Sequence, residues 1–166
     1  MIRLIDSAAV LNSSGFSFSG GNFITSPLIM DELRDLRSRH LAENALQNSL
    51  LSLQEPTPLN IKKIQEIAAK HGFEKLSKAD ISLLALALDL KAQGKKFILI
   101  SDDYSVQNFC KLLGIKFDSV IRGKIEKTIS FKKECSGCRK KFPASTALKK
   151  CPDCGSCIIS KKSFKP

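Results

Sequence analysis

The sequence predicts an α/β fold, with a parallel sheet flanked by helices, followed by a small metal-binding unit near the carboxyl end. Over residues 1–121, short apolar runs alternate with segments of helical periodicity, which is the pattern of crossover units in a parallel sheet. After residue 121 the composition becomes basic, and five of the 6 cysteines occur there. We therefore expect one domain over residues 1–121, a linker over 122–130 and a small unit over 131–166.

The individual elements follow from local patterns, taken in chain order. Met1–Asp6 is an apolar run that predicts the first strand, and Asp6 is in position to cap a short helix over 7–11. Ser26-Pro27 is a helix-start signal, whereas Gly94 and Gly114 are helix-stop signals. The other predicted elements are helices from Ser26 to about Ser38, from Leu41 to Ser49, over Pro58–His71, from Leu76 to about Ala92 and over Ser105–Leu113, and strands over Leu50–Gln54, Lys96–Ile100 and Phe117–Ile121.

Positive charge is concentrated after residue 121. Thirteen of the 27 Lys and Arg residues lie there, but only three of the 16 acidic residues. With Phe131, Phe142 and Phe164 interleaved, this tail suits a polyanion such as RNA or DNA; a solvated basic tail is the alternative. No apolar run is long enough to cross a bilayer and no signal peptide is recognisable, so we expect a soluble, cytoplasmic protein.

Four cysteines in the tail have the spacing of a structural zinc site. They form two Cys-x-x-Cys pairs separated by twelve residues: Cys135 with Cys138, and Cys151 with Cys154. Gly137 and Gly155 would allow the tight turns of such a site. Disulfides, which are disfavoured in a reducing compartment, or a redox-active Cys-x-x-Cys pair are the alternatives. Because four thiolates leave no open coordination position, we expect one structural Zn²⁺ ion.

Acidic side chains fall where the predicted parallel strands end. Asp6 ends the first strand, and Asp102 and Asp103 follow the strand over 96–100; the carboxyl ends of parallel strands meet at one edge of a sheet. Asp80 lies in the first turn of an apolar, buried helix, and Glu32 lies nearest the apolar face of its own helix. Such acids would repel one another unless a cation held them, and oxygen ligands select Mg²⁺ or Mn²⁺.

Each of these acids also has a purely structural interpretation. Ser77-x-x-Asp80 fits a capping box, Asp102 or Asp103 could cap the following helix, and Glu32 could be an ordinary surface residue. Asp89 points about half a turn away from Asp80, and we expect it to be solvated.

The motifs LIDSAAVL, SPLIMDELRD, LSKADISLLALAL and ILISDDYSVQN, followed by four cysteines and a basic end, resemble the Nin-one-binding family of PIN-domain endoribonucleases in its short archaeal form. The resemblance covers essentially the whole chain. Its most specific part is the stretch SDDYSVQN together with a carboxy-terminal four-cysteine zinc ribbon. It implies a PIN-like parallel sheet flanked by helices and a C-terminal zinc ribbon. It also implies cleavage of single-stranded precursor small-subunit ribosomal RNA at its 3′ end, on the pre-ribosomal small subunit.

The resemblance further implies roles for individual residues. Asp6, Glu32, Asp80 and Asp103 match the acids of the PIN motif, and Asp102 is a fifth candidate. These would hold one or two Mg²⁺ or Mn²⁺ ions that activate water and stabilise charge on the scissile phosphate, which leaves a 5′-phosphate and a 3′-hydroxyl. The ribbon would grip the RNA backbone through basic side chains, for which the candidates are Lys132, Lys133, Arg139, Lys140, Lys141, Lys149 and Lys150.

Two other functions fit parts of the sequence. A non-enzymatic RNA-binding adaptor would need only the ribbon, with the acids serving as helix caps, and would keep its RNA affinity after loss of Asp6. A PIN toxin ribonuclease would attack transfer or messenger RNA and arrest growth on expression, although toxins of that type usually lack a ribbon.

Overall fold

A computed structural model of the chain describes residues 1–12, 16–73, 75–120 and 128–165. The helices are α1 (Ser7–Leu11), α2 (Pro27–Glu32), α3 (Leu36–Gln47), α4 (Pro58–His71), α5 (Lys78–Ala92) and α6 (Tyr104–Leu113). The strands are β1 (Ile2–Ile5), β2 (Asn22–Thr25), β3 (Leu51–Leu53), β4 (Phe97–Ile100), β5 (Phe117–Asp118), β6 (Thr128–Cys135), β7 (Lys141–Phe142) and β8 (Ile158–Lys165).

The first five strands form one parallel sheet in the order β3-β2-β1-β4-β5. Strand β1 lies at its centre, between β2 and β4. From β1 the chain forms β2 and then the edge strand β3, and it returns to the other side of β1 to form β4. This is a doubly wound arrangement, and its switch point lies at the carboxyl ends of β1 and β4. The predicted α/β class and the parallel sheet are confirmed.

Two hydrophobic cores cover the two faces of the sheet. Neighbouring residues of β1 point into different cores, because side chains alternate along a strand: Leu4 packs with α4, α5 and α6, whereas Ile5 packs with α1 and α3. Helix α5 lies within the first core, where Leu83, Leu84 and Leu86 are fully buried. None of the helices in the described part of the chain is both long and apolar enough to span a bilayer.

The region over 26–49 departs from its prediction. The helix that begins at Pro27 ends at Glu32, and Asp35 starts a new helix by accepting a hydrogen bond from the Ser38 N–H at 2.9 Å. The sequence contains this second cap, but the apolar periodicity continues across it and predicted one helix to about Ser38. As a result, Glu32 is the last residue of a short helix.

The prediction that Asp89 is solvated is wrong. Asp89 is buried, and it accepts hydrogen bonds from the Thr57 N–H and hydroxyl, both at 2.7 Å, and from the Asn60 amide at 2.6 Å. Because α5 is enclosed on nearly every side, the position half a turn from Asp80 faces the start of α4 rather than solvent. Asp89 therefore satisfies the first backbone and side-chain donors of α4.

The carboxyl-terminal unit is an antiparallel sheet in the order β7-β6-β8. Its strand β6 begins at Thr128, inside the predicted linker over 122–130, and residues 121–127 lie outside the described residues. Phe131 of β6 packs against the first core of the larger domain. Strand β6 thus belongs to the ribbon and also contacts the α/β domain.

Candidate active site and metal centre

The register of the central strands brings Asp6 and Ser101 together. Strands β1 and β4 are paired in parallel with Ile5 opposite Ile100, so the residues that follow them are also neighbours. The Asp6 N–H donates to the Ile100 carbonyl at 3.0 Å, and the Ser101 hydroxyl donates to Asp6 Oδ2. The predicted convergence of the two strand ends is therefore present in the structure.

Asp6 is buried for a reason other than helix capping. It occupies the cap position of α1 but makes no capping hydrogen bond with its side chain, and it is 1% exposed. Burial raises the pKa of Asp6 from 3.8 to about 7, with further contributions from the negative charges of Asp80 and Asp103; the Ser101 hydroxyl partly opposes this rise. A nearby cation would favour the ionised form.

Two serines connect Glu32 to the other acids, Ser7 to Asp6 and Ser77 to Asp80. Ser7 donates to Glu32 Oε2 at 2.6 Å and lies 3.5 Å from Asp6 Oδ1, so it bridges two of the acids. Ser77 donates to Glu32 Oε1 at 3.4 Å, and its N–H donates to Asp80 Oδ2 at 2.7 Å. Burial raises the pKa of Asp80, and the charges of Asp103 and Glu32 raise it further.

Asp103 caps α6 and is also part of this group. Its Oδ1 accepts a hydrogen bond from the Ser105 N–H at 2.6 Å, and its own N–H donates to the Ser101 hydroxyl at 3.0 Å. Its charge raises the pKa of both Asp6 and Asp80. We name Asp6, Glu32, Asp80 and Asp103 the acid cluster.

Two carboxylate oxygens of the acid cluster remain available to a ligand. Among the described residues, Asp80 Oδ1 and Asp103 Oδ2 have no hydrogen-bond donor, because the capping bonds use the other oxygen of each group. An oxygen-only donor set, in which the pKa values of Asp6 and Asp80 are raised, fits a hard divalent cation that would relieve the mutual repulsion. Capping and metal binding are compatible in these side chains, so the structural interpretation does not exclude the chemical one.

Asp102 is placed differently from its neighbour. It is buried, and its Oδ1 accepts hydrogen bonds from the Ser119 hydroxyl and from the Val120 N–H, the latter at 3.0 Å. These contacts hold the segment that follows β5. Asp102 as a fifth metal ligand remains a prediction.

Two residues that were not predicted to belong to the site, Gln107 and Ser7, hold the acid cluster in place. The Gln107 amide donates to the Ser101 carbonyl at 2.7 Å and is fully buried, which fixes the turn that carries Ser101 and Asp103. Ser7 was expected only as the start of a helix. A serine directly after the first acid is visible in the sequence, but its partner Glu32 lies 25 residues away and is known only from the fold.

The four predicted zinc ligands form one cluster. The ligand atoms of Cys135, Cys138, Cys151 and Cys154 lie within 4.8 Å of one another. The cluster fits a tetrahedral thiolate site. The Ser156 hydroxyl and N–H lower the pKa of Cys154 to about 6, which favours the thiolate that a metal requires.

The two turns of the cysteine cluster are alike but differ at one residue. Gly155 follows the second pair with a left-handed φ of 72°, and Arg139 takes the corresponding position after the first pair with φ 58°. Gly137 has a different role, because a Cβ there would collide with the Ser156 hydroxyl. The expectation that Gly137 and Gly155 both allow the turns is therefore right for Gly155, whereas at the first turn Arg139 adopts the left-handed conformation.

Five of the seven candidate RNA-binding side chains are exposed and form no hydrogen bond or ion pair within the described part of the chain: Lys132, Arg139, Lys141, Lys149 and Lys150. The other two have internal partners. The Lys133 ammonium donates to the Thr146 carbonyl at 2.7 Å, and Lys140 forms an ion pair with Asp153 at 2.6 Å.

The chain is similar to known ribonucleases. Residues 4–90 match the family model described as the PIN domain of ribonuclease. Endoribonuclease Nob1 of Methanothermobacter thermautotrophicus is 33% identical, over 98% of this chain and 94% of that relative. Endoribonuclease Nob1 of Pyrococcus abyssi is 40% identical, over 80% of this chain and 79% of the relative. Ribonuclease VapC1 of Thermoplasma acidophilum is 30% identical, over 93% and 75% respectively.

Proposed function

The chain belongs to the family of PIN-domain endoribonucleases that includes the archaeal proteins named Nob1, and on that premise we propose that it cleaves precursor small-subunit ribosomal RNA at its 3′ end, within the pre-ribosomal small subunit. As a member of this family it is an endoribonuclease. The observation that carries the proposal is the convergence of four carboxylates at the switch point of the sheet, beside a basic ribbon.

We assign the catalytic cation to the acid cluster, with Asp6, Glu32, Asp80 and Asp103 as its ligands and Mg²⁺ or Mn²⁺ as the ion. A bound divalent cation supplies Lewis acidity, which activates water and offsets the charge that develops on the scissile phosphate. The serines set the orientation of the ligands: Ser101 fixes Asp6, Ser7 fixes Glu32, and the helix starts fix the other two acids.

In the described part of the chain, the groups that shift the pKa values of Asp6 and Asp80 are other carboxylates and hydrogen bonds from serines. His40 is exposed on α3. We therefore infer hydrolysis by water, which yields a 5′-phosphate and a 3′-hydroxyl, rather than attack by a 2′-hydroxyl.

The cysteine cluster is proposed to hold one structural Zn²⁺ ion. The exposed cations Lys132 and Lys141 lie on the strands of the ribbon, Arg139 lies in the turn between them, and two more lie at Lys149 and Lys150. Phosphate contacts of this kind position a substrate without reading its sequence. The internal contacts of Lys133 and Lys140 suggest that these two residues stabilise the ribbon.

Cleavage of a short RNA that spans the 3′ end of small-subunit ribosomal RNA tests the proposal. We expect the wild type to cut it at one site with Mn²⁺ and not without a divalent ion, and Asp6→Asn to bind the RNA without cutting. Asp31→Asn is the matched control, because Asp31 lies beside Glu32 but is exposed. Binding without metal-dependent cutting, on this RNA and on assembled precursor particles, would refute the nuclease assignment and favour the adaptor.

A further inference from the structure

A pocket lies where the α/β domain and the ribbon meet. It has a volume of about 330 Å³ and is lined by apolar side chains, Phe73, Leu76 and Phe131, and by polar ones, Lys75, Ser105 and Ser160. Residues of both domains contribute, since Phe131 and Ser160 belong to β6 and β8. Its size and its mixture of apolar walls with a few polar groups are those of a ligand site.

The pocket adjoins the acid cluster through two of its walls. Ser105 is the residue whose N–H donates to Asp103, and Leu76 directly precedes Ser77, which contacts both Glu32 and Asp80. A chain of nucleotides that leaves the acid cluster towards the basic ribbon therefore passes this pocket.

The aromatic wall is held in place by the core. Phe73 packs edge-to-face on the fully buried Phe109, with ring centroids 4.9 Å apart, and on Phe131, at 5.9 Å. Gly72 permits the close approach of β6, because a Cβ at Gly72 would lie 2.8 Å from Phe131 Cβ. The wall is thus preformed, which reduces the entropy cost of binding.

We propose that this pocket binds one unpaired nucleobase of the RNA substrate, close to the scissile phosphate. The inference rests on the proposed function for the identity of the ligand. Apolar and aromatic walls bury the faces of the base, the Ser105 and Ser160 hydroxyls lie in reach of its polar edge, and the Lys75 ammonium lies in reach of the adjoining phosphate. Pairing would hide the base, so the pocket selects single-stranded RNA.

The test is a scan of RNA binding with a single abasic nucleotide at successive positions, measured by fluorescence anisotropy without catalytic cation. We expect one position, within a few nucleotides of the cut, at which loss of the base weakens binding by about tenfold. Ser160→Trp, which fills the pocket from an exposed strand position, should weaken binding of the intact RNA by a similar factor and abolish the difference between intact and abasic RNA. Ser145→Trp, on the exposed ribbon surface outside the pocket lining, is the control.

Cleavage of the same RNAs with Mn²⁺ separates this inference from the proposed function. A base-dependent position that disappears in Ser160→Trp supports the pocket even if no RNA is cut. Cutting at a defined site with no base-dependent position, or with a base-dependent position that persists in a folded Ser160→Trp, would overturn the pocket and leave the nuclease assignment intact.

Discussion

Substitution of Asp6 by Asn should stabilise the fold while abolishing activity. In the absence of a cation, the folded protein holds the Asp6 carboxyl at a pKa of about 7, against 3.8 in the unfolded chain. Below about pH 4 the Asp6 carboxyl is protonated in both the folded and the unfolded state, so it does not lower the free energy of unfolding. As the pH rises from 4 to 7 the unfolded state ionises first, so stability is lost over that interval and stays lower above it.

The magnitude follows from the size of the shift. Each pKa unit corresponds to 1.36 kcal/mol, so the shift costs the folded state at most about 4 kcal/mol at pH 8. Asn is neutral and nearly isosteric, and its carbonyl still accepts from Ser101. If Asp6→Asn removes half of this free-energy cost, roughly 2 kcal/mol, the Tm rises by roughly 4–8 °C.

The assay is thermal unfolding at pH 4 to 8, in buffer freed of Mg²⁺ and Mn²⁺ but with zinc retained. We expect the Tm difference between Asp6→Asn and the wild type to grow from near zero at pH 4 to its maximum above pH 7, and to shrink when Mn²⁺ stabilises the wild type. Asp31→Asn should show no such trend. An Asp6→Asn protein that is less stable than the wild type at pH 8, or a difference that does not depend on pH, would refute the reasoning.

Three further predictions concern the acid cluster, the cysteine cluster and the contact between α5 and α4. Ser7→Ala should raise the Mn²⁺ concentration for half-maximal cleavage by about tenfold while the rate at saturating Mn²⁺ is kept; an unchanged Mn²⁺ dependence would contradict the bridging role. Arg139→Gly should raise the free energy of ribbon unfolding by about 1 kcal/mol and Gly155→Ala should lower it by about as much, measured as zinc release in urea; changes of the same sign in the two variants would contradict the left-handed turns. Asp89→Ala should destabilise the fold by about 2–4 kcal/mol in urea titrations without changing the rate per folded molecule, because the buried Asp89 carboxylate accepts three hydrogen bonds from Thr57 and Asn60 that are then lost; a loss of under about 1 kcal/mol would contradict it.

The placement of the acids was largely predictable because it depends on strand ends and a helix start. Once Met1–Asp6 and Lys96–Ile100 are recognised as parallel strands, the acids that follow them must share an edge, and the capping box places Asp80 at a helix start. The serine contacts were not predictable, since a hydroxyl at Ser7 offers the same local pattern whether or not Glu32 lies opposite it.

The differences between the predicted fold and the structure also have physical causes. Strand β2 was not among the predicted strands, because its four residues follow Gly20 and Gly21 and form a regular element only between β1 and β3. Asp89 was misjudged because helical periodicity gives the direction of a side chain but not what covers that side. Both cases depend on tertiary contacts, which local patterns do not contain.

Asp103 has two roles, and they place different demands on its side chain. As the cap of α6 it needs one oxygen that accepts from the Ser105 N–H, and Asn supplies that oxygen nearly as well as Asp. As a member of the acid cluster it needs a negative charge, which Asn lacks. We therefore expect Asp103→Asn, a single nucleotide change in the codon, to remove the proposed metal ligand while the helix cap and the fold are kept.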